Sequence, residues 1–199
     1  MVDALMTTLN DLFSSVFEKS DFDTWLEDVG ACDDCFIEYL GSDHAAIVIE
    51  AGKTLFVDFS SFDDLFKTEK MGQPLAWGIA QEFGWSTLSL VSSKDTWFRD
   101  PYVYAYFNRL VDDGILDDYD RVIFYGSEQA GYAAAAYSVC YPNAEVILIS
   151  PQATQDPDIA IWDRRHPQAR RLNFRAPYGY APTMAEAAAR ITVLYDPLL

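Results

Sequence analysis

Basic side chains are scarce in this sequence. Its 199 residues include 14 Lys and Arg against 31 Asp and Glu, so the formal net charge at pH 7 is -17. The acidic excess is largest in residues 1–70, which hold 16 acidic and 4 basic side chains. Because a charge of this sign repels a phosphate backbone, we expect no nucleic-acid partner.

Cysteine is also rare, and the three residues of this type are Cys32, Cys35 and Cys140. An odd number of cysteines without a secretory context favours reduced thiols over a disulfide framework. The Cys32-Asp-Asp-Cys35 spacing is typical of a redox pair or of half a zinc site. No second pair is present, and the two aspartates raise the thiol pKa values, so we expect no metal and no cofactor. The role of the two cysteines stays open.

Long apolar runs are missing from the sequence. No stretch approaches the roughly 18 to 20 residues that a membrane-spanning helix needs. The first basic residue is Lys19, so the sequence does not begin with the basic region of a secretory signal. We therefore expect a cytoplasmic protein without a membrane span.

Hydrophobic residues make up 50% of the sequence, which is enough for one sizeable core. Apolar positions at three- and four-residue spacings predict an amphipathic helix over residues 4–27, within an accessory N-terminal segment of residues 1–44. Two strand-like runs follow at 45–49 and 55–59. The turn at Gly52 between them predicts a hairpin.

From residue 75 onward, predicted helices and strands alternate. Helices are expected near 75–83, 102–111, 131–141 and 184–190, and strands at 87–91, 121–125, 145–149 and 191–195. The alternation predicts a three-layer α/β domain over residues 45–199, with a mostly parallel sheet and helices on both faces. Its connection at about 151–187 is in the position of a lid over a pocket.

Residues 122–136 contain the most informative pattern. Four apolar residues lead into Gly126-Ser-Glu-Gln-Ala130 and an alanine-rich stretch, which predicts a buried strand, a tight turn and a helix. This segment resembles the nucleophile elbow of the α/β-hydrolase superfamily, particularly that of small bacterial hydrolase-like proteins. In the motif the nucleophile occupies a strained turn, so the positions two residues before and after it are small. Gly126 and Ala130 meet this requirement.

The resemblance implies roles for individual residues. Glu128 stands at the nucleophile position and Ser127 is one residue early, so a covalent mechanism needs either a carboxylate nucleophile or an atypical turn. Asp196, after the last predicted strand, is the implied acid. Backbone N–H groups that follow two of the strands would stabilise an oxyanion. The implied oxyanion region consists of Gln129, Phe59 and Ser60.

The family order of nucleophile, acid and then His is incomplete in this sequence. His44 and His166 both precede Asp196, and the sequence ends at Leu199. The first hypothesis is a degenerate hydrolase-like protein without robust catalysis that binds a small anionic ligand or a protein partner. The alternative is an esterase, thioesterase or acyltransferase whose catalytic His lies in a C-terminal segment absent from this sequence.

Basic residues are concentrated in the predicted lid-like connection. They are Arg164, Arg165, Arg170, Arg171 and Arg175. In so acidic a chain, this arginine cluster predicts a site for an anionic group such as phosphate, sulfate or carboxylate. The alternative is that the cluster neutralises the acidic N-terminal segment.

Overall fold

A seven-stranded sheet forms the centre of the computed structural model, which describes residues 8–67 and 72–197. The strands are β1 (Cys35–Leu40), β2 (His44–Ile49), β3 (Thr54–Ser61), β4 (Ser86–Ser92), β5 (Arg121–Ser127), β6 (Glu145–Ile149) and β7 (Arg190–Leu194). Their order across the sheet is β1-β2-β4-β3-β5-β6-β7. Strand β2 is antiparallel to both neighbours, and the five strands from β4 to β7 in this order are parallel. The predicted mostly parallel α/β sheet is confirmed.

Helices occupy most of the connections between the strands. They are α1 (Leu9–Ser14), α2 (Phe22–Val29), α3 (Phe62–Leu65), α4 (Leu75–Phe83), α5 (Pro101–Asp112), α6 (Gln129–Tyr137) and α7 (Ala181–Met184). The longest of these described helices, α5, has 12 residues. In the part of the chain that the structure describes, no helix has the length and apolar character needed to cross a bilayer.

Two hydrophobic clusters cover the two faces of the sheet. Helices α5 and α6 pack on one face, where Phe107 and Tyr137 stack on Phe59 of β3. Helices α1, α2 and α4 pack on the other face, where Trp25 and Trp77 are fully buried. Successive residues of a strand point to opposite faces, which explains why the central strands are apolar along their whole length. The result is the predicted three-layer arrangement.

The N-terminal part of the chain differs from the prediction in two respects. The helix expected over 4–27 is two short helices, α1 and α2, because Asp21 accepts a hydrogen bond from the Thr24 N–H and so starts a new helix. Residues 4–7 of the predicted helix lie outside the described residues. Strand β1, which was not predicted, lies after the predicted helix and within the accessory N-terminal segment.

The predicted hairpin between residues 45–49 and 55–59 is wrong. Strand β4 lies between β2 and β3 and pairs with both of them. The observed hairpin joins β1 and β2, with Leu40 opposite His44. A turn at Gly52 is consistent with either arrangement, so the local pattern did not distinguish direct pairing from insertion of a later strand.

Strands β3 and β5 part at their carboxyl ends. Strand β3 pairs with β5 from Thr54 to Asp58, whereas its pairing with β4 continues to Ser61. The chain places β4 on one side of β3 and β5 on the other, so the strand order reverses at this point. In open α/β sheets, ligands bind at the carboxyl ends of strands where the order reverses. The carboxyl end of β5 is therefore an expected position for a ligand site.

The connection between β6 and α7 is attached to α6 and to the loop that follows β4. Tyr132 of α6 donates a hydrogen bond to the carbonyl of Tyr178 at 2.6 Å. The buried guanidinium of Arg99 donates to carbonyls of the connection, namely those of Asn173, Ala176 and Pro177. These bonds hold the predicted lid-like connection against the helix that follows the elbow.

Candidate functional site

The turn between β5 and α6 has the geometry of a strained elbow. Glu128 at its apex has φ 54° and ψ -117°, a conformation that residues with a side chain rarely adopt. Its N–H donates to the carbonyl of Ile149 in β6 at 2.8 Å. A Cβ atom at Gly126 would lie 2.1 Å from the Ala130 carbonyl oxygen, so the turn requires glycine there. The structure thus places Glu128 at the position that the resemblance gives to the nucleophile.

Two cavities meet at Glu128. The first, here called the Gln73 cavity, has a volume of about 420 Å³ and is lined by residues that include Phe59, Ser60, Gln73, Tyr125 and Ser127. The second, here called the His166 cavity, has a volume of about 260 Å³ and is lined by residues that include Ser61, Ser93, Asp95, Gln129 and His166. Asp64, Lys67 and Glu128 line both cavities. The two elbow residues and the predicted oxyanion region therefore lie together.

His166 lines the candidate site, although the order of residues along the chain did not predict it. The family order places the His after the acid, and on that ground His166 was not assigned to the site. In the structure, the connection returns to the elbow and His166 lines a cavity with Glu128 and Gln129. Its ring packs edge-on against Trp97, with centroids 5.1 Å apart. No local sequence signal indicates this position, because it depends on the path of the whole connection.

The remaining histidine and the predicted acid are not among the residues that line the two cavities. His44 is fully buried in β2, with Nε2 2.7 Å from Thr96 Oγ1, and burial lowers the pKa of the imidazole. Asp196 follows β7, which lies two strands from β5 at the edge of the sheet. Neither residue lines a cavity with Glu128. The acid role of Asp196 stays a prediction.

A buried carboxyl group borders the Gln73 cavity. Asp58 of β3 is fully buried and is paired in register with Ser89 of β4 and Tyr125 of β5. Ser60, which lines the cavity, donates from Oγ to Asp58 Oδ2 at 3.4 Å. Burial raises the pKa of Asp58 to about 7 because the ionised form loses its hydration. This carboxyl group therefore changes its protonation state near neutral pH.

Gln73 joins the cavity to the N-terminal helix. Its Nε2 donates to the carbonyls of Leu12, Phe13 and Ser15, at 3.1, 3.3 and 2.5 Å. These carbonyls belong to the end of α1, where the helix leaves acceptors without partners. The Gln73 side chain is 3% exposed, and its Oε1 has no hydrogen-bond partner among residues 8–67 and 72–197.

The arginine cluster forms bonds within its own connection. Arg165 forms two hydrogen bonds with the Asp163 carboxylate, at 2.9 and 2.8 Å, and holds the pKa of that group well below its usual range. Arg170 donates to the carbonyls of Ala160 and Asp163, both at 2.6 Å. Arg175 pairs with the carboxylates of Asp156 and Asp158. These partners lie within the connection and not in the acidic N-terminal segment.

The other two members of the arginine cluster, Arg164 and Arg171, are exposed. No member of the cluster is among the residues that line the Gln73 and His166 cavities. Arg165, however, precedes His166 of the His166 cavity, and its charge interacts with that of Glu128. Binding of an anion by the cluster stays a prediction.

The CxxC cysteines are free thiols. Cys32 is buried and Cys35 is partly buried. Burial, together with the neighbouring Cys32, raises the pKa of the Cys35 thiol far above its usual range. Among the described residues, no group of three or more His, Cys, Asp or Glu side chains is arranged to hold a metal ion.

Comparisons with known proteins give matches in structure only. No protein-family model and no curated protein matches this chain. The Glycosylation Associate Protein (Gap123) complex of Streptococcus agalactiae has a TM-score of 0.53 and 11% identity, over 81% of this chain and 36% of that one. The fluorophosphonate-binding serine hydrolase F of Staphylococcus aureus has a TM-score of 0.51 and 9% identity, over 81% of this chain and 77% of that one.

A third similar structure is carboxyl esterase 2 of the fungus Tuber melanosporum, with a TM-score of 0.43 and 16% identity, over 61% of this chain and 46% of that one. The chain thus spans less than half the length of the Streptococcus and Tuber proteins. At these identities the similarity concerns the fold. With its mostly parallel seven-stranded sheet and its elbow after β5, this chain has an α/β-hydrolase-like fold.

Proposed function

We propose that this α/β-hydrolase-like protein binds a small molecule beside Glu128 and does not hydrolyse esters through a serine nucleophile. The observation that carries the proposal is the position of Glu128 at the apex of the elbow, with a cavity on either side. The Gln73 cavity, at about 420 Å³, has the size of a small-ligand site, and the His166 cavity, at about 260 Å³, is smaller. The turn after β5 has the strained conformation of an elbow and carries a carboxylate at its apex.

Ser127 is poorly placed to replace the missing nucleophile. It is the last residue of β5, where it pairs in register with Ile149 of β6. A serine nucleophile also needs a base within hydrogen-bond reach. His166 lines the His166 cavity, whereas Ser127 lines the Gln73 cavity. Among the described residues, no hydrogen bond joins these two side chains.

A hydrolase or acyltransferase is the second candidate, and the position of His166 favours it. The Glu128 carboxylate could attack an ester or thioester carbonyl and expel an alkoxide or thiolate, which takes a proton from water and leaves an acyl anhydride on Glu128. His166, in the same cavity, would then remove a proton from the water that hydrolyses this anhydride. This mechanism needs both side chains, so the two candidates predict different results for their variants.

Turnover of p-nitrophenyl acetate and of acetyl thiocholine by wild type, Glu128→Gln and His166→Ala tests the proposal. We expect the same rate for all three proteins, at the level of a denatured control. Glu128→Gln keeps the shape of the side chain and removes its nucleophilic charge. If wild type turns over either substrate at least a hundredfold faster than both variants, the binding proposal is wrong and the second candidate is correct.

A further inference from the structure

Gln73, which lines the Gln73 cavity, has a buried hydrogen-bond acceptor without a partner among the described residues. Three carbonyls of residues 12–15 accept hydrogen bonds from Gln73 Nε2, which fixes the orientation of the amide. Its Oε1 is buried and has no partner among the described residues, and the residue lines the cavity. A buried acceptor without a donor is costly, so a bound donor would stabilise this site.

Glu128 adds a negative charge on the same cavity. Among the described residues, no hydrogen bond or short ion pair to its carboxylate is present, although it lines both cavities and its charge interacts with those of Lys67 and Arg165. Gln129, the next residue, also has an Oε1 atom that lacks a partner there. The elbow side of the site thus presents a carboxylate and an amide oxygen, both of which accept hydrogen bonds.

The ammonium group of Lys67, which lines this cavity, forms an ion pair with a neighbouring aspartate. Lys67 Nζ bonds to Asp64 Oδ1 at 2.6 Å, and its side chain is 72% exposed. In the His166 cavity, Lys94 bonds to Asp43 at 2.6 Å. These cations are therefore bound to other carboxylates. The whole chain carries a net charge of -17, which attracts cations to its surface.

From these contacts we propose that the Gln73 cavity binds the ammonium group of a small organic cation, with Glu128 as its charge partner and Gln73 Oε1 as an acceptor. The inference rests on the proposed binding function and names its ligand class. An alkylammonium group supplies up to three donors and no acceptor, which matches the unpaired acceptors of the site. An anion would bring only acceptors and a second negative charge beside Glu128.

Three probes of matched size and different charge test the ligand class: butylammonium, butanol and butanoate. Their binding to the ¹⁵N-labelled protein is measured from amide and Gln side-chain chemical shifts at low ionic strength. We expect butylammonium to shift the resonances of Gln73 and Gln129, and to bind at least tenfold more tightly than the other two probes. The affinity should fall as salt is added, because exposed charges are screened.

The variant Glu128→Gln should weaken butylammonium binding at least tenfold. Glu186→Gln is the matched control: it removes the same charge from an exposed residue that lines neither cavity, and we expect it to leave the affinity unchanged. The amide spectrum of each variant shows whether it is folded.

Two results would overturn the ammonium inference and leave the proposed binding function standing. One is equal or tighter binding of butanoate in the cavity. The other is butylammonium binding that Glu128→Gln does not change. If none of the three probes binds at tens of millimolar, the inference is also wrong. The turnover assay with p-nitrophenyl acetate then decides separately whether the chain is an enzyme.

Discussion

Replacing Asp58 with asparagine should stabilise the protein at alkaline pH and change its stability little at acidic pH. Asp58 is fully buried in the centre of the sheet, and burial raises its pKa from 3.8 to about 7. Asparagine has nearly the same shape and does not ionise. The substitution therefore isolates the free energy of ionising this carboxyl group inside the protein.

The sign of the effect follows from proton uptake. Because the pKa of Asp58 is higher in the folded than in the unfolded chain, folding takes up a proton between about pH 4 and pH 7. The stability that this group contributes is complete below the unfolded pKa and is lost as the pH rises through the folded pKa. The difference between 3.8 and about 7 corresponds to about 4 kcal/mol. Between pH 5 and pH 8.5, the wild type should lose about 3 kcal/mol from this group.

Denaturant unfolding of wild type, Asp58→Asn and Asp33→Asn at pH 5 and pH 8.5 measures this difference. Asp33 is exposed and serves as the control for removing one carboxylate. The free energy of unfolding of Asp58→Asn relative to wild type should rise by about 3 kcal/mol between the two pH values, while that of Asp33→Asn should change by less than about 0.5 kcal/mol. An equal difference at both pH values would refute the argument that Asp58 ionises while buried.

Three further predictions concern the elbow, the arginine cluster and the CxxC thiols. Gly126→Ala should lower the free energy of unfolding by about 3 kcal/mol, measured in denaturant, because its Cβ would collide with the Ala130 carbonyl. Arg170→Ala should lower it by about 2 kcal/mol through loss of two charged hydrogen bonds and speed proteolysis of the connection, whereas Arg164→Ala should change neither. Cys35 should react with iodoacetamide at pH 7.5 at least about tenfold more slowly than glutathione, because burial raises the pKa of its thiol.

The elbow could be predicted because its requirements are local. The small residues Gly126 and Ala130 stand two positions from Glu128, and the strand and helix on either side are evident from apolar and alanine-rich runs. The same holds for β4, α4 and β6, whose observed bounds lie within one residue of the predicted ones. In each case the pattern depends on residues that are neighbours in sequence.

The parts that could not be predicted depend on contacts between distant segments. Insertion of β4 between β2 and β3 overturned the predicted hairpin. The placement of His166 beside Glu128 depends on a connection held by Arg99 and Tyr132, which lie far from it in sequence. Gln73 showed no pattern of its own, since its role comes from the carbonyls at the end of α1.

The central claim is that the elbow carries Glu128 in place of a serine nucleophile. Intact-mass measurement after incubation of wild type with excess fluorophosphonate tests it directly, because such probes phosphonylate an activated serine. We predict an unmodified mass, equal to that of the protein incubated without the probe. A stoichiometric single phosphonyl adduct, located at Ser127 by peptide mass spectrometry, would contradict the claim.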